Sequence, residues 1–153
     1  METIAPLVFQ VKTYSDLSRD ELYNVLQLRS EVFVVEQDCV YQDIDGKDKL
    51  ALHVLGFQKN ELVAYTRIFP PNIYFQAASI GRVVVKQKER HQRIGSAIMK
   101  ASIEALYNNH GKQDIKISAQ TYLINFYNTL GFEQKGESYL EDGIPHIAMV
   151  LSG

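Results

Sequence analysis

The sequence VVVKQKERHQRIGSA, from Val83 to Ala97, joins a predicted strand to the long central helix predicted for this chain. Its three consecutive valines are β-branched and predict the end of a strand. A charged connector from Lys86 to Arg93 follows, and Ile94 opens an amphipathic helix. The first N–H groups of a helix lack intrahelical partners, and the helix dipole favours negative charge there. The stretch therefore predicts a site for a phosphate or pyrophosphate group where the connector meets the helix.

Length and composition predict a single globular domain over residues 1–153. The chain has 46% hydrophobic and 22% charged residues, which is ordinary for a globular protein with a buried core. Its net charge of −2 argues against a nucleic-acid binder that works by neutralising phosphates. No segment approaches the roughly 20 apolar residues of a membrane-spanning helix, and the N-terminus METIAPLVFQV lacks the basic start of a signal peptide. The single cysteine, Cys39, cannot form an intramolecular disulfide, so we expect a cytoplasmic protein that binds neither nucleic acid nor membrane.

The order of the predicted elements describes a mixed sheet with helices on both faces. Ser18 and Glu21 form a capping box that opens the first helix. Two apolar runs on either side of Gln58-Lys59-Asn60-Glu61 predict a β-hairpin. The predicted strands are Leu7–Val11, Leu50–Phe57, Leu62–Phe69, Ile80–Val85, Ile115–Ala119, one that starts at Phe132, and His146–Leu151. Two further helices are predicted at Ile94–Tyr107 and Leu123–Leu130.

The polar segment Cys39–Lys49 lies between the first helix and the hairpin. It contains the turn-forming pair Asp45-Gly46 and few apolar residues, which is typical of an exposed loop. Loops of this length often contact substrates. We therefore expect this segment to be exposed and to form part of an acceptor pocket.

Two common phosphate-binding motifs do not fit the turn at Gly95. A P-loop needs a glycine-rich loop that ends in Gly-Lys-Ser/Thr, and Gly95-Ser96 lacks both the lysine and the first glycine. A dinucleotide-binding fold needs several glycines, and only Gly95 is present. The motifs therefore favour a phosphate ligand of another class, with ATP binding at the same turn as a weaker alternative.

Three segments of the C-terminal half together resemble the GNAT superfamily of acyl-CoA-dependent N-acyltransferases: IGRVVV, RHQRIGSAIM and AQTYLINFYNTLGF. The loop motif of that family is Arg/Gln-x-x-Gly-x-Gly/Ala. Arg90-x-x-Arg93-x-Gly95 matches it with Arg93 in place of the first glycine, and Gln92-x-x-Gly95-x-Ala97 matches it in a second register. We prefer the first register, because it places Gly95 at the helix start as in relatives.

The resemblance extends over nearly the whole chain. Tyr127 precedes the Gly131-Phe132 pair as in the later helix of the family, and the segments LRSEVFVVEQDCVYQDIDG and GESYLEDGIPHIAMVL resemble its ElaA-like branch. This implies a GNAT-type α/β (α+β) fold, with a mixed, mainly antiparallel sheet of about six to seven strands and helices on both faces. It also implies a bulge that splays Ile80–Val85 from Ile115–Ala119, so that a thioester can enter between these strands.

The resemblance implies acetyl-CoA as the cosubstrate. Donors from about Gln92 to Ser96 would bind its pyrophosphate, and the strand edge at Val83–Val85 would pair with its amide-rich pantetheine arm. A backbone N–H of this edge would polarise the thioester carbonyl. The cofactor-binding residues implied in this way are Val83, Val85, Arg90, Gln92, Arg93, Ile94, Gly95, Ser96 and Gln120, the last of which stands where many relatives have an asparagine.

Acyl transfer to an amine needs a base for the amine and benefits from an acid for the departing thiolate. By resemblance Tyr127 is the acid, and a core tyrosine beside Phe126 is the structural alternative. The predicted base is Glu36 or His53, although a surface carboxylate and a hydrogen-bonded core histidine are the simpler explanations of these two residues. A base relayed through water is also open, as are three residues near the last turn: Glu141, Asp142 and His146.

Other chemistries find less support. We expect no metal site, because the four histidines are far apart without i,i+4 spacing and Cys39 has no cysteine partner. Cys39 is a weak candidate for a nucleophile, since direct transfer needs no covalent intermediate and a buried inert thiol is the default. Arg67 and Arg82 lie on neighbouring predicted strands, where they would hold an anionic acceptor or, more simply, form salt bridges.

The leading hypothesis is an acetyltransferase that passes the acetyl group of acetyl-CoA to a primary amine of a small molecule or peptide, by direct attack in a ternary complex. The alternative is a non-catalytic acyl-CoA-binding or sensing module, because Arg93 departs from the family motif and the base is unassigned. The family often dimerises, so a homodimer is a further expectation. The residue pattern does not identify the acceptor amine.

Overall fold

The structure, a computed structural model, describes residues 5–153 except for the side chains of His91 and Gln92. Residues 1–4, which begin the N-terminal segment used above to argue against a signal peptide, lie outside this description. The described elements are β1 (Leu7–Thr13), α1 (Arg19–Arg29), β2 (Leu52–Gln58), β3 (Glu61–Phe69), β4 (Ala78–Val85), α2 (Ile94–His110), β5 (Ile115–Gln120), α3 (Ile124–Thr129), β6 (Glu133–Glu141) and β7 (Ile144–Leu151). None of the described helices is long and apolar enough to cross a bilayer.

The strands form one sheet in the order β1-β2-β3-β4-β5-β7-β6. Every neighbouring pair is antiparallel except β4 and β5, which are parallel. The long connection between these two strands contains α2, as a parallel crossover requires. The predicted fold class, a mixed and mainly antiparallel sheet of six to seven strands, is confirmed.

The β2–β3 hairpin closes with a two-residue turn at Lys59 and Asn60. Both residues have positive φ, +53° and +62°, which is the backbone of a type I′ turn. This turn matches the twist of the flanking strands and sets the register that pairs Gln58 with Glu61. The predicted hairpin is confirmed.

Alternate residues of the central strands pack on opposite faces of the sheet. On one face Leu55 and Tyr65 pack in a cluster with Val25 and Leu28 of α1. On the other face Val54 and Ala64, the residues next to Leu55 and Tyr65 in the sequence, pack in a larger cluster with α2 and α3. The buried members that these helices contribute to the cluster include Ile98, Met99, Leu106 and Tyr127. The prediction of helices on both faces is therefore also confirmed.

The capping box of α1 forms as predicted. The Ser18 hydroxyl accepts from the Glu21 backbone N–H, and the Glu21 carboxylate accepts from the Ser18 N–H. The helix then widens into a π-helical segment, Ser30–Glu36, whose end is marked by a bond from the Gln37 N–H to the Val32 carbonyl, five residues back. Such widened turns frequently occur at functional sites. Here the segment leads to one wall of the cavity described below.

The segment Cys39–Lys49 is not the fully exposed loop that the sequence predicts. Its residues Asp43 and Asp48 are buried, at 8% and 7% exposure. The physical reason is charge pairing, because Arg29 donates to both carboxylates at 2.9 and 2.8 Å. The loop is therefore anchored on the α1 face of the sheet by ionic hydrogen bonds.

Candidate active site

The site lies where β4 and β5 separate. These strands pair only at Ala78 with Ile115 and at Ser79 with Lys116, and beyond these pairs they diverge. A cavity of about 670 Å³ lies at the gap and is lined from both strands. The splay implied by the family resemblance is thus present in the structure.

A bulge in β4 directs its backbone into this gap. Arg67 of β3 pairs with Gly81, and Tyr65 pairs with Val84, so β4 has one residue more than β3 between the two pairs. Arg82 lies in the bulge with a φ of +50°, in the left-handed region. Bulges of this kind bend a strand and often lie next to active sites.

The backbone groups of Val83 and Val85 face the gap. The Lys86 N–H donates to the Val63 carbonyl of β3 at 2.8 Å. Because successive peptide groups of a strand alternate in direction, the groups of Val84 also face β3, and those of Val83 and Val85 face away from it. Val83 and Val85 both line the cavity. The geometry therefore supports a strand edge at which an amide-bearing ligand can pair.

A 3-10 turn, Gln87–Gln92, meets α2 at the place where the sequence predicts an anion site. The first helical hydrogen bond of α2 runs from the Ala97 N–H to the Arg93 carbonyl at 3.2 Å, and no side chain caps this helix start. The N–H groups of Ile94, Gly95 and Ser96 are therefore without helical partners. Gly95 and Ser96 line the cavity.

Two of the predicted cofactor residues need separate comment. The Ile94 side chain is only 2% exposed and packs in the core, so this residue can serve a ligand only through its backbone. The prediction for Gln92 concerns a side chain that lies outside the described part of the structure.

Arg93 stands at a position that favours glycine. It links the 3-10 turn to α2 with φ +58° and ψ +26°, a left-handed conformation. Glycine adopts this conformation freely, whereas a residue with a Cβ is strained there by roughly 1 kcal/mol. This explains a glycine in the family motif at the first register, and it shows that the chain keeps the loop geometry with arginine in its place.

Arg90 lies at the cavity edge and is already engaged by two partners. Its Nε donates to the Val85 carbonyl at 3.1 Å, and its two terminal nitrogens donate to the Glu36 carboxylate at 2.6 and 2.8 Å. The bond to Val85 occupies one group of the strand edge that faces the gap. Arg90 and Glu36 therefore connect the end of the π-helical segment to β4 across the cavity mouth.

Tyr127 lies at the cavity with its ring held by aromatic neighbours. It is 6% exposed, and its ring meets those of Phe126 and Phe132 edge-on at 5.0 and 6.0 Å. Burial raises the pKa of Tyr127 well above its usual value, with a further contribution from Tyr122. The phenol therefore stays protonated at neutral pH and can donate a hydrogen bond to an anion in the cavity.

Gln120 ends β5 and lines the same cavity. Its amide Nε2 donates to the Gln37 side chain at 3.3 Å, so it links β5 to the end of the π-helical segment. The amide is in place to reach a ligand in the gap.

The two predicted bases have different surroundings. His53 is fully buried outside the cavity lining, with Nδ1 2.6 Å from the Tyr65 hydroxyl and Nε2 2.8 Å from the Asp48 carbonyl. Burial lowers its pKa, and the nearby guanidiniums act in the same direction. This geometry fits the core-histidine interpretation and does not support His53 as a base. Glu36 does line the cavity, but it is paired with Arg90.

Arg67 and Arg82 form salt bridges, which is the simpler of the two interpretations offered by the sequence. Arg67 bonds Asp45 at 2.6 Å and Asp48 at 3.0 Å, and Arg82 lies 2.8 Å from Asp43. With Arg29 they complete a network of three guanidiniums and three carboxylates. Although burial would raise the pKa of Asp48, its bonds to the guanidiniums of Arg29 and Arg67 lower it. The network holds the loop Cys39–Lys49 beside the cavity, which Arg67 and Arg82 help to line.

A second polar cluster at the cavity combines two residues that the sequence left open as bases with two that it did not single out. It joins the end of β6, the start of β7 and the middle of β5, and its members are Ser118, Tyr139, Glu141 and His146. The order of residues indicates the turn between β6 and β7, but it does not show that β5 places Ser118 beside it. No group of three or more His, Cys, Asp or Glu side chains within the described residues is arranged to hold a metal ion.

Comparison with known proteins agrees with this geometry. Residues 13–152 match the family model described as an acetyltransferase (GNAT) domain. The chain belongs to the GNAT acetyltransferase family. Protein ElaA of Escherichia coli strain K12 is 44% identical to this GNAT protein over 138 residues, which cover 89% of the chain and 90% of ElaA. This relative confirms the resemblance to the ElaA-like branch.

Solved structures support the same assignment of this GNAT acetyltransferase. The crystal structure of Escherichia coli ElaA has a TM-score of 0.89 at 40% identity, covering 96% of this chain and 100% of ElaA. An acyl-CoA N-acyltransferase from Pseudomonas aeruginosa has a TM-score of 0.88 at 37% identity, covering 95% and 99%. A GNAT acetyltransferase from Elizabethkingia anophelis, solved with acetyl-CoA bound, shares the fold at a TM-score of 0.66 and 18% identity, covering 95% and 97%.

Proposed function

We propose that this protein transfers the acetyl group of acetyl-CoA to a primary amine of a small molecule or peptide, by direct attack in a ternary complex. The observation that carries the proposal is the cavity at the β4–β5 gap, which connects a strand edge at Val83 and Val85 to the uncapped start of α2. The domain that does so would span residues 1–153 and work in the cytoplasm, as its single cysteine suggests.

Coenzyme A fits this combination of surfaces. A pyrophosphate at the start of α2 would accept bonds from the free N–H groups of residues 94–96 and would meet the positive end of the helix dipole. The pantetheine arm carries amides that can pair with the edge at Val83 and Val85. The Pseudomonas aeruginosa relative, which is 37% identical, is described as an acyl-CoA N-acyltransferase.

The catalytic roles follow from the same placement. The N–H of Val83 or Val85 would donate to the thioester carbonyl oxygen, where negative charge develops during attack. Tyr127 would donate to the departing thiolate. A phenol has an ordinary pKa of about 10 and a thiol about 8.5, so complete proton transfer costs about 2 kcal/mol, and burial of the phenol adds to this cost. Tyr127 therefore acts by hydrogen bonding the thiolate as the C–S bond breaks.

Arg90 would change partners when the cofactor binds. It lies at the cavity edge close to the predicted pyrophosphate site, and it is held there by Glu36 and the Val85 carbonyl. A pyrophosphate carries more negative charge than one carboxylate and accepts the same paired guanidinium bonds, so it competes for Arg90 with Glu36, whose side chain is 28% exposed. Binding of coenzyme A would therefore release Glu36 and free the Val85 carbonyl for the pantetheine arm.

The experiment combines binding with turnover. Acetyl-CoA is titrated calorimetrically, and release of the CoA thiol is then measured against a panel of primary amines with and without enzyme. We expect tight binding and a thiol release that depends on one class of amine, with the acetylated amine identified by mass spectrometry. Binding without release above the hydrolysis background, for every amine, would instead favour the sensing module. Sedimentation of the same sample tests the expected homodimer.

A further inference from the structure

We infer that His146 is the base that deprotonates the amine acceptor, and that Glu141 draws the ammonium to it and holds the imidazolium that results. This inference rests on the proposed acetyl transfer. Both residues line the cavity at the gap. His146 pairs with Gln120 of β5 and with Tyr139 of β6, which places it one strand away from the gap.

The hydrogen bond made by Nδ1 of His146 leaves Nε2 as the ring atom that can accept a proton. Nδ1 lies 2.7 Å from the Ile144 carbonyl oxygen. A carbonyl oxygen can only accept, so Nδ1 carries the hydrogen, and the lone pair of the neutral ring is on Nε2. The ring is 6% exposed and stacks on Tyr139 at 6.3 Å with an interplanar angle of 20°, which fixes its orientation.

Glu141 is placed to stabilise the charged form of that ring. Its Oε2 lies 3.3 Å from His146 Nε2, longer than the roughly 2.8 Å of a charge-assisted bond, so an imidazolium formed there has a carboxylate beside it. Its Oε1 accepts from the Ser118 hydroxyl at 3.2 Å, and Ser118 also meets the Tyr139 hydroxyl at 2.5 Å. The carboxylate is therefore oriented from two neighbouring strands.

Within the described residues no lysine or arginine pairs with Glu141, and His146 forms an ion pair with it only once the ring is protonated. The other titratable groups around the pair are Tyr139 on β6, Asp142 in the turn, and Cys39, whose Sγ meets the Asp142 carbonyl at 3.5 Å. The surroundings thus favour a cationic guest. Glu36, by contrast, is closed by two bonds from Arg90.

The reaction balances with this pair. Glu141 attracts the ammonium group, and one ammonium proton passes to His146 Nε2. The neutral amine attacks the thioester carbon, so that a C–N bond forms and the C–S bond breaks. The second amine proton leaves the tetrahedral adduct and ends on the CoA sulfur, while the proton on His146 returns to solvent past Glu141. The products are the amide, coenzyme A thiol and one proton.

The test uses the intact enzyme, acetyl-CoA and the best amine of the panel. For His146→Gln we expect kcat to fall about 100-fold or more, with acetyl-CoA affinity within about 2-fold of wild type. Weakly basic amines, which are already neutral at the assay pH, should lose much less. Imidazole added to His146→Ala should restore part of the rate. His110→Gln, at the exposed end of α2, is the matched control and should behave as wild type.

The outcomes separate this inference from the function on which it rests. A wild-type enzyme that binds acetyl-CoA but acetylates no amine would overturn both. If wild type is active, a normal kcat in His146→Gln, or an equal loss for strongly and weakly basic amines, would overturn the role of His146 alone. Should His146→Gln fail to fold, Glu141→Gln decides, because its carboxylate is 45% exposed. We expect a higher amine KM for that variant, and unchanged kinetics would contradict the pair.

Discussion

Replacement of Glu36 by glutamine should tighten the binding of acetyl-CoA. Glu36 holds Arg90 with two bonds, at 2.6 and 2.8 Å, and Arg90 must leave it to reach a pyrophosphate. Both side chains are partly exposed, at 28% and 38%, so solvent screens their attraction. The variant Glu36→Gln removes the charge that competes with the cofactor while it keeps the shape of the side chain.

The size of the effect follows from that exposure. Ion pairs of this kind contribute about 0.2–1 kcal/mol, which corresponds to a roughly 1.5- to 5-fold lower Kd once the pair no longer has to be broken. The hydrogen bond from Arg90 to the Val85 carbonyl persists in the variant and still has to be exchanged. Repulsion between Glu36 and the pyrophosphate disappears as well, which acts in the same direction.

Calorimetric titration of acetyl-CoA measures this directly, and the chain offers a matched control. Glu61 also pairs with a cation, Lys86 at 2.6 Å, but it lies outside the lining of the cavity. Glu61→Gln removes the same charge and should leave Kd within about 1.5-fold of wild type at physiological salt. A Kd for Glu36→Gln that is unchanged or higher, relative to this control, would refute the exchange of partners by Arg90.

Three further variants test other parts of the site. Tyr127→Phe should lower kcat about 10- to 100-fold in the thiol-release assay, because it removes the hydrogen-bond donor to the departing thiolate. Its affinity for acetyl-CoA should change little. Turnover at the wild-type rate would show that Tyr127 is not this donor. Asp48→Asn should destabilise the fold by about 3–5 kcal/mol, because the two buried guanidiniums of Arg29 and Arg67 lose their shared carboxylate. This corresponds to a drop of roughly 6–20 °C in Tm. The control Asp16→Asn, at an exposed carboxylate, should change Tm little. Because the pKa of Asp48 is lowered in the folded state, its contribution to the free energy of unfolding is complete above about pH 4 and is lost as the pH falls further. Acid denaturation of the wild type and of Asp48→Asn measures this loss. Arg93→Gly should raise the free energy of unfolding by up to about 1 kcal/mol, and a simultaneous weakening of acetyl-CoA binding would identify Arg93 as a phosphate contact.

The parts of the fold that depend on local patterns were predictable from the sequence. The capping box at Ser18 and Glu21 involves residues three apart, and the turn at Lys59-Asn60 joins adjacent strands. The start of α2 at Ile94 is predictable because, within Val83–Ala97, the apolar residues change from a continuous strand-like run to helical spacing. The GNAT resemblance added Tyr127, whose place in the cavity no local pattern could indicate.

The remainder depends on contacts between distant residues. Arg29 meets Asp48 nineteen positions away, and this contact buries a loop whose composition alone predicts exposure. The sequence does carry a signal for these salt bridges. It places three aspartates in the segment Cys39–Lys49 and three arginines on a predicted helix and two predicted strands. The placement of Ser118 beside Glu141 depends on the order of strands in the sheet, and periodicity carries no information about that order.

A crystal structure of the protein with acetyl-CoA tests whether the gap between β4 and β5 is the site of acetyl transfer. We expect the pyrophosphate at the N–H groups of residues 94–96, the pantetheine arm along Val83 and Val85, and the sulfur within hydrogen-bonding reach of the Tyr127 hydroxyl. Arg90 should have left Glu36. Acetyl-CoA bound away from the β4–β5 gap, or bound there with its thioester outside the reach of both Tyr127 and the Val83–Val85 edge, would contradict the proposed site of acetyl transfer.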